Sequence, residues 1–276
     1  MANILNQSQI DSIVKIALQA GEIAMSYFGG NHLNVKKKID DSPLTIADSL
    51  ISELIYHQLQ NIAPAIPVIC EEGKNRDFGN GIFWLVDPID GTNSFVNNDP
   101  EFTINIALVN DQRPIFGLIF APAIAEKPLY YTNADGHLMK YFVDSKKEEI
   151  FFTKKRNNND FVIIASKRSS DKDIYQSYLN LKQDRFDMFG VLKINQKTKF
   201  YKVSSSLKFV YLIEGKANLY LHLRRSMEWD IAAGQALLTA VGGRITNFGG
   251  GDILYQKIDL INQPFVATIS KLIDTA

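Results

Sequence analysis

Apolar residues at Ile10, Ile13, Val14, Ala17, Ala20 and Ala24 recur at the spacing of one helical face, which predicts a helix over 7–28, ended by Gly29-Gly30-Asn31. A second stripe, Leu50, Ile51, Leu54, Ile55 and Leu59, follows Thr45 and Asp48. Asp48 therefore falls in or near the first turn of a second helix, where an acid offsets the helix dipole. Short apolar runs at 67–70 and 82–86 read as strands. Two strand–turn–strand patterns come next: 102–109 and 114–120 about Asn110-Asp111-Gln112-Arg113, then 129–132 and 137–141 about Ala134-Asp135-Gly136. This half reads as α+β, two helices against a mainly antiparallel sheet.

The stretch 146–160, with Asn157-Asn158-Asn159, has no apolar period and reads as a linker or exposed excursion. Beyond it, strands at 161–165, 200–203, 217–221 and 244–246 alternate with helices at 174–181, 206–214 and 230–241. Such alternation predicts an α/β second half. The expected division is a 1–150 domain and a 151–276 domain. Gly242-Gly243 stops the last helix, and Gly249-Gly250-Gly251, with no Lys-Ser/Thr after it, is a turn rather than a phosphate loop.

One run carries chemistry as well as pattern. Trp84-Leu85-Val86-Asp87-Pro88-Ile89-Asp90-Gly91-Thr92 reads as a buried strand that stops at two carboxylates three residues apart. A helical continuation would put Asp87 and Asp90 on one side. Pro88 stiffens the turn, Gly91 allows close backbone approach, and Thr92 stands at a helix start where free N–H groups favour an anion. Magnesium and phosphate suit that set. The same residues also serve as ordinary turn signals.

Other acids bear on the choice. Glu71-Glu72-Gly73 ends the 67–70 strand, and if that strand pairs with 82–86 the carboxylates converge, which a metal would compensate. Asp230, in Glu228-Trp229-Asp230-Ile231-Ala232-Ala233-Gly234, begins a helix whose first turn is small residues; as a simple N-cap it needs no metal. His57 has no partner at i+4 and receives no role. Lys36-Lys37-Lys38 reads as a solvated turn.

Charge narrows the partner. Lys+Arg and Asp+Glu are both 30, so no bulk field favours nucleic acid or an anionic membrane, and the expected partner is small. Cys70 is the single cysteine, which excludes an intrachain disulfide and a cysteine-cluster metal site and fits a reducing compartment. The polar start 1–9 lacks a signal-peptide core, and no apolar run approaches the length of a membrane span. A cytoplasmic protein is expected, with peripheral contact at the cytoplasmic face of the membrane and homodimerisation left open.

Taken together, Glu71-Glu72, the 84–92 run and Trp229-Asp230-Ile231-Ala232-Ala233-Gly234 resemble the three signatures of the inositol monophosphatase superfamily, over roughly 10–270. Within it, Asp41-Ser42-Pro43-Leu44-Thr45-Ile46-Ala47-Asp48, the stretch 100–108, Ser205-Ser206-Leu207-Lys208-Phe209 and Met227-Glu228-Trp229-Asp230 are most similar to the 3′(2′),5′-bisphosphate nucleotidases. Inositol-selective relatives carry an acid two positions after the tyrosine where this chain has Tyr220-Leu221-His222. Many nucleotidases have Arg in place of His222 and His in place of Ser169, whereas Arg225 matches a basic family position.

The resemblance implies a layered αβαβα sandwich of the inositol monophosphatase and fructose-1,6-bisphosphatase type. It implies removal of the 3′-phosphate from 3′-phosphoadenosine 5′-phosphate, a by-product of sulfate assimilation, with magnesium, two or more ions per site, and lithium sensitivity. Glu71, Asp87, Asp90 and Asp230 carry four formal charges, which match two divalent cations, with the Ile89 carbonyl as a further ligand by resemblance. Two such ions would clamp the scissile phosphate while a water attacks. Thr92, hydrogen-bonded to Asp48, would pass the water's proton away from Glu71; the amides of Gly91 and Thr92 would hold phosphate; Asp230 would position the leaving oxygen. Ser205 and Lys208 would take the phosphate that is not cleaved, with Arg225 and His222 nearby. Two rivals stand beside this reading: an inositol or sugar phosphate phosphatase of the same superfamily, and a noncatalytic nucleotide or metal sensor, against which Asp48 and Thr92 together count.

Overall fold

The computed structural model describes residues 4–30, 36–37, 43–153, 160–183 and 198–269. Lys38, Asp41 and Ser42 of the stretches above, Asn157-Asn158-Asn159, and the end of the chain from Ser270 lie outside the described residues. The first helical stripe becomes α1 (Gln7–Tyr27), begun by Asn6 in a capping box with Gln9. Strands β1 (Lys36–Lys37) and β2 (Pro43–Leu44) pair ahead of α2 (Ile46–Ile62).

Seven strands then form one sheet. They are β3 (Val68–Cys70), β4 (Ile82–Asp90), β5 (Thr103–Asn110), β6 (Arg113–Phe120), β7 (Pro128–Thr132), β8 (Leu138–Phe142) and β9 (Lys147–Ile150), in spatial order. The short α3 (Thr92–Val96) sits between β4 and β5. Only β3 and β4 run parallel; every later neighbour is antiparallel. Strand β9 corrects the reading of 146–160 as a linker or exposed excursion, as far as Lys147–Ile150 is concerned. It is an edge strand of charged residues, Lys147-Glu148-Glu149-Ile150, and so shows no burial period.

Alternation along these strands supplies two packing faces. Trp84 and Val86, with Ile104, Ile106 and Leu108, enter the core beneath α1 and α2. Phe83 and Leu85, with Ala107 and Val109, face the opposite way and share a core with the later helices. The Val, Leu, Ile and Phe side chains among them, fully buried, contribute about 1.5–3 kcal/mol each of hydrophobic free energy.

The remaining elements are β10 (Phe161–Ser166), α4 (Asp171–Gln183), β11 (Thr198–Val203), α5 (Leu207–Ile213), β12 (Leu219–His222), β13 (Ser226–Met227), α6 (Glu228–Ala240), β14 (Arg244–Asn247), β15 (Ile261–Asn262) and β16 (Phe265–Thr268). The five-stranded sheet has the order β11-β10-β12-β16-β14. Here β10 is parallel to β11 and β12, but β16 enters antiparallel to both its neighbours. Four residues buried on both faces give β16 no visible alternation, and the α/β pattern read from the sequence lacks it. The glycine turn after β14 is a turn, closed by Gly250 N–H to the Asn247 carbonyl.

Ile174, Tyr178 and Leu181 of α4 cover one face of this sheet, packing with Ile163 and Leu221. Its other face, through Val162, Ile164, Tyr220 and Phe265, meets α5 and α6. The result is α1 and α2, a sheet, α5 and α6, a second sheet, and α4: the αβαβα sandwich expected. Helix α6 lies so close to β6 that a Cβ on Gly117 would collide with the Ala233 carbonyl and come within 2.9 Å of Ala236 Cβ. Among the described residues, no helix is long and apolar enough to cross a membrane.

Candidate active site

The carboxylates are gathered by strand pairing. Cys70 lies beside Val86 in the parallel β3–β4 ladder, and the Glu71 N–H extends it by donating to the Val86 carbonyl at 3.1 Å. Glu71 thereby emerges next to Asp87. The turn expected at Asp87 does not form; β4 continues in extended form to Asp90. Asp87 pairs with Asn105 and Asp90 with Thr103, so Pro88 and Ile89 together oppose Ile104. In a regular strand, residues three apart point to opposite faces, and this bulge restores them to one face. A proline, lacking an N–H, is tolerated at such a bulge.

Gly91 ends the strand at φ 90°, a conformation that favours glycine, and a Cβ there would lie 3.1 Å from the Glu101 carbonyl and 3.2 Å from Ser205 Cβ. Thr92 then opens α3, and its hydroxyl donates to the Ile89 carbonyl at 3.1 Å. That corrects the Thr92–Asp48 hydrogen bond implied by resemblance. Asp48 is buried at the third position of α2, where its Oδ2 accepts from the Thr45 N–H (2.9 Å) and Thr45 hydroxyl (2.5 Å). This carboxylate works as a capping box, and it stands outside the wall of the cavity described below.

Helix α6 starts two residues earlier than expected, at Glu228, which makes Asp230 its third residue rather than an N-cap. Asp230 Oδ2 accepts from the Met227 N–H at 2.8 Å. Two residues that the sequence reading gave no role lock the arrangement. The Ser206 hydroxyl lies 2.7 Å from Asp90 Oδ2 and 2.9 Å from the Asp230 carbonyl oxygen, sharing one proton between them. Asn105 Nδ2 donates to Asp90 Oδ2 at 3.2 Å and to the Ser206 hydroxyl at 2.8 Å. A signal for Asn105 existed: it is the one amide in the apolar run Ile104 to Leu108, and it is buried.

A cavity of about 390 Å³ opens over these groups. Glu71, Asp87, Ile89, Asp90, Gly91, Thr92 and Asp230 contribute to its wall, and so do Ser205, Lys208, His222 and Arg225. Burial, and then the charges of Glu71, Asp90 and Asp230, push the Asp87 carboxyl well above its ordinary range. Asp230 is raised by burial, Asp90 and Glu71, partly offset by the Met227 N–H and the Lys208 ammonium. Among the described residues, no three acidic, imidazole or thiol side chains close into a metal cage; the acids ring an open space instead.

The opposite wall is cationic but unevenly available. Lys208 is buried, with Nζ donating to the Ser205 carbonyl and lying 3.4 Å from that of Val203. Burial lowers it to about 8, against the pull of Asp90 and Asp230. His222 stacks on Phe265 at 4.7 Å, and its Nδ1 meets the Tyr220 hydroxyl at 2.8 Å. Burial, reinforced by Lys208, pushes His222 down to about 3, so its ring is neutral. Arg225 is exposed.

A five-layer αβαβα sandwich with a carboxylate-walled cavity beside the first turn of α6 defines a recognisable class. The chain belongs to the inositol monophosphatase family, whose sequence model matches residues 6–274. Among curated proteins it is similar to the 3′(2′),5′-bisphosphate nucleotidase CysQ of Buchnera aphidicola, 31% identical with 96% of each chain covered. The Salmonella typhimurium protein of that name is also 31% identical, over 94% of this chain and 99% of the other. The crystal structure of CysQ from Bacteroides thetaiotaomicron superposes with a TM-score of 0.79 at 30% identity, covering 97% of this chain and 99% of the other. An inositol monophosphatase from Thermotoga maritima shares the fold, with a TM-score of 0.72 at 21% identity and 97% of each chain covered.

Proposed function

We propose that this chain is a magnesium-dependent phosphatase that removes the 3′-phosphate from 3′-phosphoadenosine 5′-phosphate, giving AMP and phosphate. The observation that carries the proposal is the convergence of Glu71, Asp87, Asp90 and Asp230 on one cavity whose other wall is cationic. Similarity to nucleotidases over nearly the whole chain supports the substrate class.

The donor set fits magnesium. All of it is hard oxygen, and the mutual repulsion that raises Asp87 and Asp230 is what divalent cations relieve. Glu71, Asp87, the Ile89 carbonyl, Asp90 and Asp230 would hold the ions. Bound magnesium supplies Lewis-acid stabilisation of phosphoryl oxygens and a lower water pKa.

The chain's own groups do the rest. Glu71 takes the proton of the attacking water, and Thr92, fixed on the Ile89 carbonyl, presents its N–H with that of Gly91 to the phosphate. Asp48 acts as a positioning residue, holding the start of α2 through Thr45. Asp230 orients the leaving ribose oxygen. Ser205 and Lys208 face the phosphate that stays.

The test is phosphate release from a panel of esters with and without magnesium. Release from 3′-phosphoadenosine 5′-phosphate, dependent on magnesium and inhibited by lithium, is expected. Much faster hydrolysis of inositol phosphate or fructose 1,6-bisphosphate overturns the substrate assignment. Binding with no release over hours favours a sensor instead.

A further inference from the structure

Glu71 and Asp230 reach the cavity from different layers, one at the end of β3 in the first sheet and the other in the first turn of α6. Ser206 and Asn105 tie Asp90 to the Asp230 backbone. The turn that carries Glu71 has a tie of its own to α6, made by Arg76, which stands outside the wall of the cavity.

Arg76 grips that turn by its backbone. Its Nη1 donates to the carbonyls of Cys70 at 3.3 Å, Gly73 at 3.0 Å and Asn75 at 2.7 Å. Cys70 and Gly73 flank Glu71-Glu72, and the Gly73 N–H closes the same turn on the Cys70 carbonyl at 3.0 Å. The segment bearing Arg76 is itself fixed to the sheet. Asn75 Nδ2 donates to the Val68 carbonyl of β3 at 3.1 Å, and Phe78 packs edge-on against Phe83 of β4, their ring centroids 4.9 Å apart.

The same guanidinium also meets α6. Its central carbon lies 5.3 Å from the centroid of the Trp229 ring, and Trp229 immediately precedes Asp230. Trp229 is buried, and its indole N–H has no hydrogen-bond partner among the described residues, so packing and Arg76 place the ring. A guanidinium can serve both sides at once, because its edge carries the N–H donors while its face attracts an aromatic ring. An ammonium has no such division.

We infer that Arg76 is a positioning residue that sets the separation of Glu71 and Asp230, and with it the affinity of the acids for magnesium. It acts through the Glu71 turn and Trp229 rather than on the substrate. Arg76 is exposed, and an exposed contact between a cation and a ring adds little to global stability, so its loss is expected to show in the site more than in the fold. This inference rests on the phosphatase reading and adds to it a residue beyond the cavity wall.

The experiment compares wild type with R76M, R76K, W229L and R76M/W229L on 3′-phosphoadenosine 5′-phosphate, with melting curves in chelator and in magnesium. For R76M, the magnesium concentration for half-maximal turnover is expected to rise roughly five-fold and kcat to fall by a similar factor, with KM at saturating magnesium within about two-fold of wild type. The magnesium-induced rise in Tm, which needs no turnover, should shrink in parallel. R76K keeps the charge without the planar fork and is expected to resemble R76M. In the W229L background the Arg76 substitution should add little, because the two residues act as one link.

A lower Tm in chelator with an unchanged magnesium midpoint and an unchanged magnesium-induced rise overturns the assignment, since a merely structural contact behaves that way. Wild-type behaviour of R76K, or losses that multiply in the double variant, also overturns it. R76K decides the question by the same readouts if R76M does not fold. If wild type hydrolyses no phosphate ester, the phosphatase reading fails on its own, and the magnesium-induced rise in Tm still decides Arg76; a wild type that shows no such rise overturns both.

Discussion

Asp87 and Asp90 face one cavity because a β-bulge sets Pro88 and Ile89 against the single residue Ile104. The bulge also sends the Ile89 side chain into the core beneath α1 and α2, so only its backbone is left for the site. Two carboxylates are thus presented from a rigid strand rather than a mobile loop. The folded chain accepts their repulsion in advance of any ligand.

The first prediction follows from that repulsion. A carboxyl whose folded-state pKa is raised favours the fold below its unfolded pKa and opposes it as pH rises, so ionised Asp87 destabilises the metal-free protein near neutrality. Asp87→Asn is expected to melt higher than wild type in chelator at pH 7, by a few degrees. Saturating magnesium should reverse the order, because it stabilises only the protein that binds it. Melting curves in chelator and in magnesium check both signs, and an order unaffected by magnesium contradicts the metal assignment.

Turnover gives the second. Asp90→Asn replaces a charged oxygen ligand with an amide while keeping an acceptor for Asn105 and Ser206. Loss of turnover on the order of 100-fold is expected, with the far-ultraviolet dichroism of wild type. Wild-type rates in this variant would remove Asp90 from the site.

Much of this could be read in the chain because the carboxylates end apolar runs, where a polar residue is conspicuous. The helices α1 and α2 were legible for a similar reason, as long amphipathic stripes. What escaped was set by pairing rather than periodicity. Whether β4 stops at Val86 or runs to Asp90 depends on Asn105 and Thr103 across the ladder, and no local pattern in 87–90 encodes that. Strand β16 is too short and too buried to alternate. Thr45 offers Asp48 a local partner, and the capping box binds Oδ2 of that carboxylate without any reference to Thr92.

Ser206 supports the third prediction. Its hydroxyl joins Asp90 to the first turn of α6, so Ser206→Ala removes one of the two donors to Asp90 Oδ2, the link to the Asp230 carbonyl and an acceptor of the buried Asn105 amide. A loss of about 1–3 kcal/mol in stability is expected. Turnover should fall through kcat more than KM, because the acids lose register. Urea denaturation and steady-state kinetics measure the two effects, and a fall in KM-dependent terms alone argues against the positioning role.

The close crossing of α6 over β6 gives the fourth. Gly117→Ala must move the Ala233 backbone, and with it the helix that carries Asp230. Overpacking of this kind costs about 1–3 kcal/mol. A variant that melts like wild type would show that the helix does not approach this strand as described.

The last prediction concerns an ion cluster remote from the cavity. Glu214, just after α5, receives Lys140 at 2.5 Å, Lys216 at 2.5 Å and the Tyr130 hydroxyl at 2.5 Å. Tyr130 and Lys140 sit opposite each other on β7 and β8, so the carboxylate ties α5 to the seven-stranded sheet. Burial alone would raise its pKa, but Lys140, Lys216 and Tyr130 together outweigh that and hold it below the ordinary 4.5. Its contribution is therefore complete above the unfolded carboxylate pKa and is lost as pH falls through the lower folded value. Glu214→Gln leaves the Lys140 ammonium partly buried without its counter-ion, at a cost of about 3–5 kcal/mol at neutral pH. Denaturant titrations of both proteins from pH 7 downward should show that gap constant near neutrality and narrowing below about pH 4.5, and a gap independent of pH would falsify the charge assignment.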